Sequence, residues 1–262
     1  MVERALPKNV QSLVSGYQWR AVSIGKSTAR TFRFEKPGSP TFYLKMDSQA
    51  TIHSLSQEKK VLEWLQGKLR APQVIAYVEE GGSDYLLMSA VPGVDAATLA
   101  QADTQDKREL VRLLAQGLRQ VHSLSMAGCS FDRTLAVEIE EAQHRAALGL
   151  VDPANFDPMR LGMQVDEMLA EVLSTRPNQE HASFTHGDYC LPNVIIQDGR
   201  VSGFVDWGRG GVGDPYKDIA LAVRSIRFNL GPGYEQTLFD AYGLASPDWA
   251  KLSYFMLLDE FF

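Results

Sequence analysis

The chain has 262 residues, of which 45% are hydrophobic and 22% are charged, and these proportions are ordinary for a water-soluble globular protein. A formal net charge of -6, without a basic patch, argues against nucleic-acid binding, and no apolar run is long enough to span a membrane. The two cysteines make no disulfide framework, and residues 1–7 lack the apolar core of a signal peptide. We therefore expect a cytoplasmic protein with no nucleic-acid or membrane partner. We also expect a monomer or weak dimer, although composition does not determine the oligomeric state.

The first ninety or so residues predict a small sheet with one helix. Short runs rich in aromatic and β-branched residues, separated by Gly, Pro and Ser, are typical of strands. Between them, Leu55, Val61, Leu62 and Leu65 fall near one face of a helix, and Gly67 follows. The predicted strands are 19–24, 28–35, 41–46, 74–78 and 85–91, and the predicted helix is 55–66.

After Pro92-Gly93 the hydrophobic periodicity changes to that of helices. Apolar residues between Leu110 and Leu124 keep helical spacing and predict one long, well-buried helix at 104–124. Further helices are predicted at 136–148, 165–173, 216–227, 234–242 and 247–262. A small antiparallel sheet followed by a mainly helical region predicts the α+β class, with an N-terminal lobe at 1–91, a C-terminal lobe at 92–262 and a cleft between them.

Residues 186–208 predict a hairpin with polar side chains gathered at one end. Two short apolar runs, 194–197 and 201–205, flank Asp198-Gly199, a dipeptide that accepts the positive φ angles of a tight turn. Asp188 and Asn193 precede the first run, and Asp206 follows the second. The three side chains are therefore expected to converge.

This set of oxygen-bearing side chains has the composition of a phosphoryl-transfer site. In that chemistry a protein mainly positions groups and neutralises charge. Asp188 would orient an acceptor hydroxyl and take its proton, while Asn193 and Asp206 would be ligands of Mg²⁺. We interpret His186 as a hydrogen-bonded support for the loop and not as a base.

Lys45 is the second candidate, because it lies among apolar neighbours on a predicted central strand and is costly to bury unpaired. The helix that follows offers Glu58 and Glu63. Glu58 can face the sheet, and a Lys–Glu pair of this kind can hold the α- and β-phosphates of a nucleotide. A solvent-facing lysine would be the alternative if the polar set at 186–206 were absent.

Two glycine-rich segments suggest competing functions. Gly25-Lys26-Ser27 resembles the end of a Walker A loop, but that motif requires glycine where the chain has Arg20, so a loose phosphate-covering loop or a plain turn remains. Residues 208–213 match the dinucleotide-binding fingerprint and suggest an NAD-dependent oxidoreductase. No second strand ending in an acid follows roughly twenty residues later, which disfavours that class. A catalytically inactive kinase-like module is the third alternative. It would be expected to have lost Lys45, Asp188, Asn193 or Asp206, and all four are present.

These residues resemble the aminoglycoside 3'-phosphotransferases, or kanamycin kinases, which share the two-lobed protein-kinase-like fold. The similarity extends from end to end of the chain. It includes Tyr43-Leu44-Lys45, residues 58–65 and 86–89, His122-Ser123-Leu124, Thr185-His186-Gly187-Asp188, residues 203–209, Asp218-Ile219-Ala220, residues 223–227 and Leu257-Leu258-Asp259-Glu260-Phe261-Phe262. Choline, homoserine and macrolide kinases share generic features of this kind but do not usually end in Asp-Glu-Phe-Phe.

The resemblance implies ATP-dependent phosphorylation of the 3'-hydroxyl of an aminoglycoside of the kanamycin or neomycin class, conferring resistance. It implies Asp188 as the catalytic base, Mg²⁺ ligation by Asn193 and Asp206, and acidic groups that bind the ammonium groups of the drug. The nucleotide-binding positions are Lys45, Glu58, Ser27 in the loop over the phosphates, Tyr43 stacked on adenine, and the backbone of Ser89 and Val91. The substrate-binding positions are Asp157, Arg209, Arg224, Asp259, Glu260 and the carboxylate of Phe262.

Two positions depart from the family pattern. Some relatives carry an acidic pair where this chain has Phe228-Asn229, and some carry an acid where it has Pro158. The acids at Asp259 and Glu260 are unfavourable against a helix dipole if they lie on a solvated helix end, so their presence favours a role in binding. The departures affect the expected range of drugs and leave the expected reaction unchanged.

Overall fold

The computed structural model describes residues 6–22, 29–48, 55–102 and 106–262. By internal contacts, the chain divides into two compact units. The first contains Met1–Asp95 and Pro192–Arg209, and the second contains Ala96–Leu191 and Gly210–Phe262. The lobe boundary predicted between residues 91 and 92 stays a prediction.

A five-stranded antiparallel sheet with strand order β1-β2-β3-β5-β4 is the main element of the first unit. Its strands are β1 (Gln18–Val22), β2 (Arg30–Glu35), β3 (Phe42–Ser48), β4 (Val74–Glu80) and β5 (Ser83–Ser89). Two helices accompany it, α1 (Lys8–Leu13) and α2 (Leu55–Leu65). The five predicted strands and α2 are present, whereas α1 is not predicted, because its six residues contain too few apolar side chains for a helical pattern.

Successive side chains of β3 alternate between a face of the sheet that packs in the core and a face that carries Lys45. Leu44 is fully buried in a cluster with Phe32 and Phe34 of β2 and Val10 of α1. Because successive strand residues point to opposite faces, Lys45 projects from the other face. On that face, Lys45 contacts Glu58 of α2.

A second, three-stranded sheet in the first unit contains the predicted hairpin. Its strands are β6 (Val94–Asp95), β8 (Val194–Gln197) and β9 (Arg200–Phe204), in the order β6-β8-β9. The turn between β8 and β9 has φ values of 51° at Asp198 and 68° at Gly199, which confirms the tight turn predicted from this dipeptide. The short strand β6 is not predicted. Gly93, which precedes it, has φ 127°, and a Cβ there would lie 2.4 Å from the carbonyl oxygen of Ile196.

The second unit is mainly helical. Its helices are α3 (Ala96–Ala100), α4 (Lys107–His122), α5 (Leu135–Ala147), α6 (Val165–Ser174), α7 (Pro215–Leu230), α8 (Glu235–Tyr242) and α9 (Trp249–Leu258). Strands β7 (Ser183–Thr185) and β10 (Gly211–Gly213) pair antiparallel. Short 3-10 turns occupy Pro153–Asn155, Leu191–Asn193 and Asp259–Phe261. The sheet of the first unit and these helices confirm the predicted α+β class.

The helix ends follow from local hydrogen bonds. Asp106 caps α4 by accepting from the backbone N–H groups of Arg108 and Glu109, so this helix begins three residues later than predicted. Asp214 caps α7 by accepting from the backbone N–H of Tyr216, and its other oxygen pairs with Nζ of Lys251 at 2.5 Å. The position of α7 is thereby fixed at its first turn. Among the described residues, no helix combines the length and apolar character needed to cross a membrane.

Candidate active site

Lys45 is the centre of a three-residue charge cluster in the first unit. Its Nζ lies 2.8 Å from both carboxylate oxygens of Glu58 and 2.9 Å from Oδ1 of Asp206. The side chains of Lys45 and Glu58 are 13% and 4% exposed, whereas that of Asp206 is 46% exposed. The ammonium therefore links a buried acid on α2 with an accessible one after β9.

The electrostatics of the cluster keep Lys45 charged. Burial lowers the pKa of Lys45, but the carboxylates of Asp206 and Glu58 more than offset this effect and raise that pKa above its ordinary value. Glu58 also accepts a hydrogen bond from the backbone N–H of Trp207 at 3.3 Å. Lys45 is thus a fixed positive charge beside a partly accessible carboxylate.

Asp206 has an unusual backbone conformation. Its φ is 65°, in the left-handed region, which Asp tolerates better than most residues. The residue before it, Val205, donates its backbone N–H to the carbonyl oxygen of Asn193 at 3.0 Å. The two predicted metal ligands are therefore held on adjoining backbone segments.

The donor chemistry at these two positions fits Mg²⁺. An amide oxygen and a carboxylate are hard ligands, and Mg²⁺ is usually held by one or two such groups together with water and phosphate oxygens. Among the described residues, no group of three or more His, Cys, Asp or Glu side chains could hold a metal ion. The assignment of Asn193 and Asp206 as Mg²⁺ ligands stays a prediction.

Asp188 lies in the second unit, in the loop after β7. Its backbone N–H donates to Nδ1 of His186 at 3.3 Å, and its carbonyl accepts from the backbone N–H of Cys190 at 3.0 Å. His186 is fully buried. This geometry agrees with its interpretation as a loop support.

Asp218 of α7 holds the same loop. Its carboxylate accepts the backbone N–H groups of His186 at 2.6 Å and Gly187 at 2.8 Å. Nε2 of His122 is 3.0 Å from Oδ2 of Asp218, and Nδ1 of His122 is 2.8 Å from the hydroxyl of Tyr242. Burial raises the pKa of Asp218, but the hydrogen bond and charge of His122 outweigh it and leave this pKa below its ordinary value.

The predicted substrate-binding residues of the second unit form a cluster of charges. Glu260 accepts from the backbone N–H of Asp157 at 3.1 Å and lies 3.3 Å from Nη1 of Arg160. Arg224 donates directly to Asp259, whose side chain is 8% exposed. Asp259 and Glu260 lie in the 3-10 turn that follows α9, and both are engaged with arginines, so neither is a solvated acid at a helix end.

Phe262 and Arg209 differ in their surroundings. Arg145 donates to the main-chain oxygens of Phe261 and Phe262, the latter at 3.4 Å. Arg209 is half-buried and belongs to the first unit, whereas Arg224 and its cluster belong to the second. The substrate roles of both residues stay predictions.

The nucleotide-binding predictions fall on the first unit. Tyr43 precedes Lys45 by two positions and therefore shares its face of β3, and its ring lies 5.9 Å from the guanidinium carbon of Arg33. The backbone N–H of Ser89 donates to the carbonyl of Gln73 at 2.9 Å. Val91 follows β5. Ser27 lies outside the described residues, and all of these roles stay predictions.

The glycine-rich segment at 208–213 is explained by packing. Gly211 and Gly213 belong to β10, and a Cβ at either position would lie within 2.7 Å of the carbonyl oxygen of Phe131 or Arg133. These glycines are therefore required by a close backbone approach. The dinucleotide-binding interpretation has no support here, because the segment forms a strand paired with β7.

Asp218 and Arg160 make contacts that are not predicted from the sequence. Asp218 is an acid within an apolar helical stretch, and a buried acid needs partners, so this pattern could have indicated a structural anchor. Arg160 carries no comparable signal. Its segment has no clear periodicity, and its partners come from a distant part of the chain.

Comparison with known proteins identifies the class of protein. The model of the phosphotransferase enzyme family, APH, matches residues 18–255. The crystal structure of an aminoglycoside-3'-phosphotransferase of type VIII has a TM-score of 0.87 and 30% identity, with 97% of both chains covered. The protein is therefore a phosphotransferase with a protein-kinase-like fold, and this predicted fold is confirmed.

Two further relatives narrow the assignment. An aminoglycoside 3'-phosphotransferase of Niallia circulans is 37% identical over 99% of this chain and 98% of its own length. The structure of aminoglycoside phosphotransferase APH(3'')-Id from Streptomyces rimosus, in complex with ADP and streptomycin, is 26% identical with a TM-score of 0.78, covering 93% of this chain and 92% of that one. The chain belongs to the aminoglycoside 3'-phosphotransferases of the phosphotransferase enzyme family. The resemblance found in the sequence is thereby confirmed.

Proposed function

We propose that this protein transfers the terminal phosphoryl group of ATP to the 3'-hydroxyl of aminoglycosides of the kanamycin or neomycin class and so confers resistance. The observation that carries the proposal is the contact of Lys45 with both Glu58 and Asp206, inside a chain of this family. Because ATP is the proposed donor, the activity is cytoplasmic.

The first unit would bind the nucleotide. Lys45, held charged by its two acids, directs its ammonium toward the α- and β-phosphates. Glu58 orients that ammonium, since both of its oxygens accept from it. Tyr43 on the same face of the sheet stacks on adenine, and the backbone of Ser89 and Val91 contacts its edge.

Asn193 and Asp206 would hold Mg²⁺. When bound, the ion neutralises charge on the phosphate oxygens. The left-handed backbone at Asp206 directs its carboxylate to a position where 46% of the side chain remains accessible. This accessibility supports a role as a ligand and not as a buried structural acid.

Asp188 would act on the acceptor. Its carboxylate accepts a hydrogen bond from the 3'-hydroxyl, orients the oxygen and takes the proton as the oxygen–phosphorus bond forms. The hydrogen bonds from His186 and Gly187 to Asp218 fix the backbone that leads to this carboxylate. On the drug, the ammonium groups would contact acids of the cluster that contains Asp157, Asp259 and Glu260.

A paired substrate assay tests the proposal. We expect ATP consumption with kanamycin and none with tobramycin, which lacks the 3'-hydroxyl, and phosphorus NMR of the kanamycin product should show a 3'-phosphomonoester. Asp188→Ala provides the control for contaminating kinases. Equal turnover of both drugs would contradict attack by the 3'-hydroxyl, and turnover of choline or homoserine instead would favour a different small-molecule kinase.

A further inference from the structure

Arg160 is a cation of the protein itself that pairs with two proposed substrate-binding acids. Its Nη1 lies 3.3 Å from Oε1 of Glu260 and 3.8 Å from Oδ2 of Asp157. The side chains of Arg160 and Glu260 are only 16% and 4% exposed. A carboxylate buried to this degree needs a partner, and Arg160 supplies positive charge to it together with Arg224.

The position of Glu260 is fixed independently of Arg160. Its second oxygen accepts the backbone N–H of Asp157 at 3.1 Å, and the turn Asp259–Phe261 holds its backbone. Removing the guanidinium would therefore leave the carboxylate in place with one oxygen open to another cation. The guanidinium and a substrate ammonium would compete for that oxygen.

The charge of the cluster makes this competition important. Asp157, Asp259 and Glu260 carry three negative charges when ionised, and Arg160 and Arg224 carry two positive charges, so the net charge is -1. A polycationic drug would meet a nearly neutral surface while both arginines are in place. Displacing one arginine would double the available negative charge.

Arg160 is better placed for displacement than Arg224. Arg224 lies on the long, well-packed helix α7, and its guanidinium is bonded to Asp259. Arg160 comes from the segment between α5 and α6 and also lines a cavity of about 560 Å³. Glu171 lines the same cavity, so a displaced guanidinium would find both space and a counter-charge there.

We propose that Arg160 is a specificity-determining residue that competes with a substrate ammonium group for Glu260 and Asp157. This inference rests on the proposed function. It predicts that the protein disfavours the most highly charged aminoglycosides relative to a variant in which Arg160 is neutral, because each added ammonium needs a free carboxylate.

Calorimetric titration of kanamycin and the more highly charged neomycin into wild-type protein and Arg160→Gln tests the inference. We expect Arg160→Gln to lower Kd by about two- to tenfold, the range for a charge pair with a partly exposed member, here Asp157, and more for neomycin than for kanamycin. The difference should shrink in high salt, which screens accessible charges. Arg160→Lys keeps the charge and is expected to stay near wild type.

Other results of the titration would contradict the inference. An unchanged or higher Kd in Arg160→Gln would mean that Arg160 supports the acids without competing with the drug, and would overturn the inference. Arg160→Met, which keeps the apolar stem, replaces Arg160→Gln if thermal unfolding shows that the latter does not fold. Wild-type protein that neither binds nor phosphorylates either drug would overturn the proposed function as well, whereas normal wild-type turnover with no gain in the variant affects Arg160 alone.

Discussion

Nζ of Lys45 lies 2.9 Å from Oδ1 of Asp206, although 161 positions separate the two residues in the chain. The same ammonium bonds both oxygens of Glu58 at 2.8 Å. A single cation therefore pairs with two acids, one of them buried. This arrangement couples the stability of the first unit to the proposed phosphate-binding group.

Lys45→Met is expected to lower both stability and activity. Without the ammonium, the buried Glu58 loses its ion-pair partner, and breaking such a pair costs about 3 kcal/mol. Urea unfolding measures this loss, and the KM for ATP should rise. Lys59→Met is the matched control. The Lys59–Glu63 pair lies on α2, the helix that carries Glu58, but it is more exposed and should contribute less than about 1 kcal/mol. Equal losses in the two variants would contradict the special role of the Lys45 pair.

Asp206→Asn is expected to abolish ATP turnover while preserving the fold. Asn tolerates the left-handed φ of 65° at this position, so the substitution removes the carboxylate without adding backbone strain. Asp206→Ala removes the same group and adds strain of about 1 kcal/mol. Kinetics as a function of Mg²⁺ concentration check the ligand role. An unaltered Mg²⁺ dependence in Asp206→Asn would remove Asp206 from the metal site.

The ion pairs of Lys45 and Arg160 show which contacts the sequence could predict and which it could not. Lys45 and Glu58 lie on a strand and a helix whose periodicity is strong, so their faces and their pairing follow from local pattern. Arg160 lies between helices, where no period defines a face, and its partner Glu260 is 100 positions away. Packing that joins distant segments also made the ends of α9 and the burial of Asp259 unpredictable from the local pattern.

Asp188→Ala is expected to lower kcat by about 10²- to 10⁴-fold, the usual contribution of a positioned proton acceptor. The loop should remain in place, because its backbone is held by Asp218 and not by the side chain of Asp188. Stability should therefore stay near wild type, and single-turnover measurements with kanamycin give the rate of the chemical step. Near-wild-type kinetics in this variant would exclude Asp188 from the mechanism.

Asp218→Asn is expected to lower kcat with little change in either KM. The amide oxygen can accept one backbone N–H, but the amide NH₂ faces the other, so the loop before Asp188 shifts. A displacement of about 1 Å can cost 10²-fold in rate. Asp166→Asn, on the exposed first turn of α6, is the matched control. A change in KM alone would mean that Asp218 does not position the catalytic loop.

The difference in stability between wild type and Asp218→Asn should depend on pH in a defined direction. The pKa of Asp218 lies below its ordinary value, so the ionised carboxylate stabilises the fold at all pH values above the unfolded-state pKa of about 4. This contribution is lost as pH falls through the lower, folded-state pKa. The difference in unfolding free energy between wild type and Asp218→Asn should therefore shrink as pH falls from about 5 to more acidic values. A difference that grows on acidification, measured by urea unfolding across that range, would contradict an ionised Asp218 anchor.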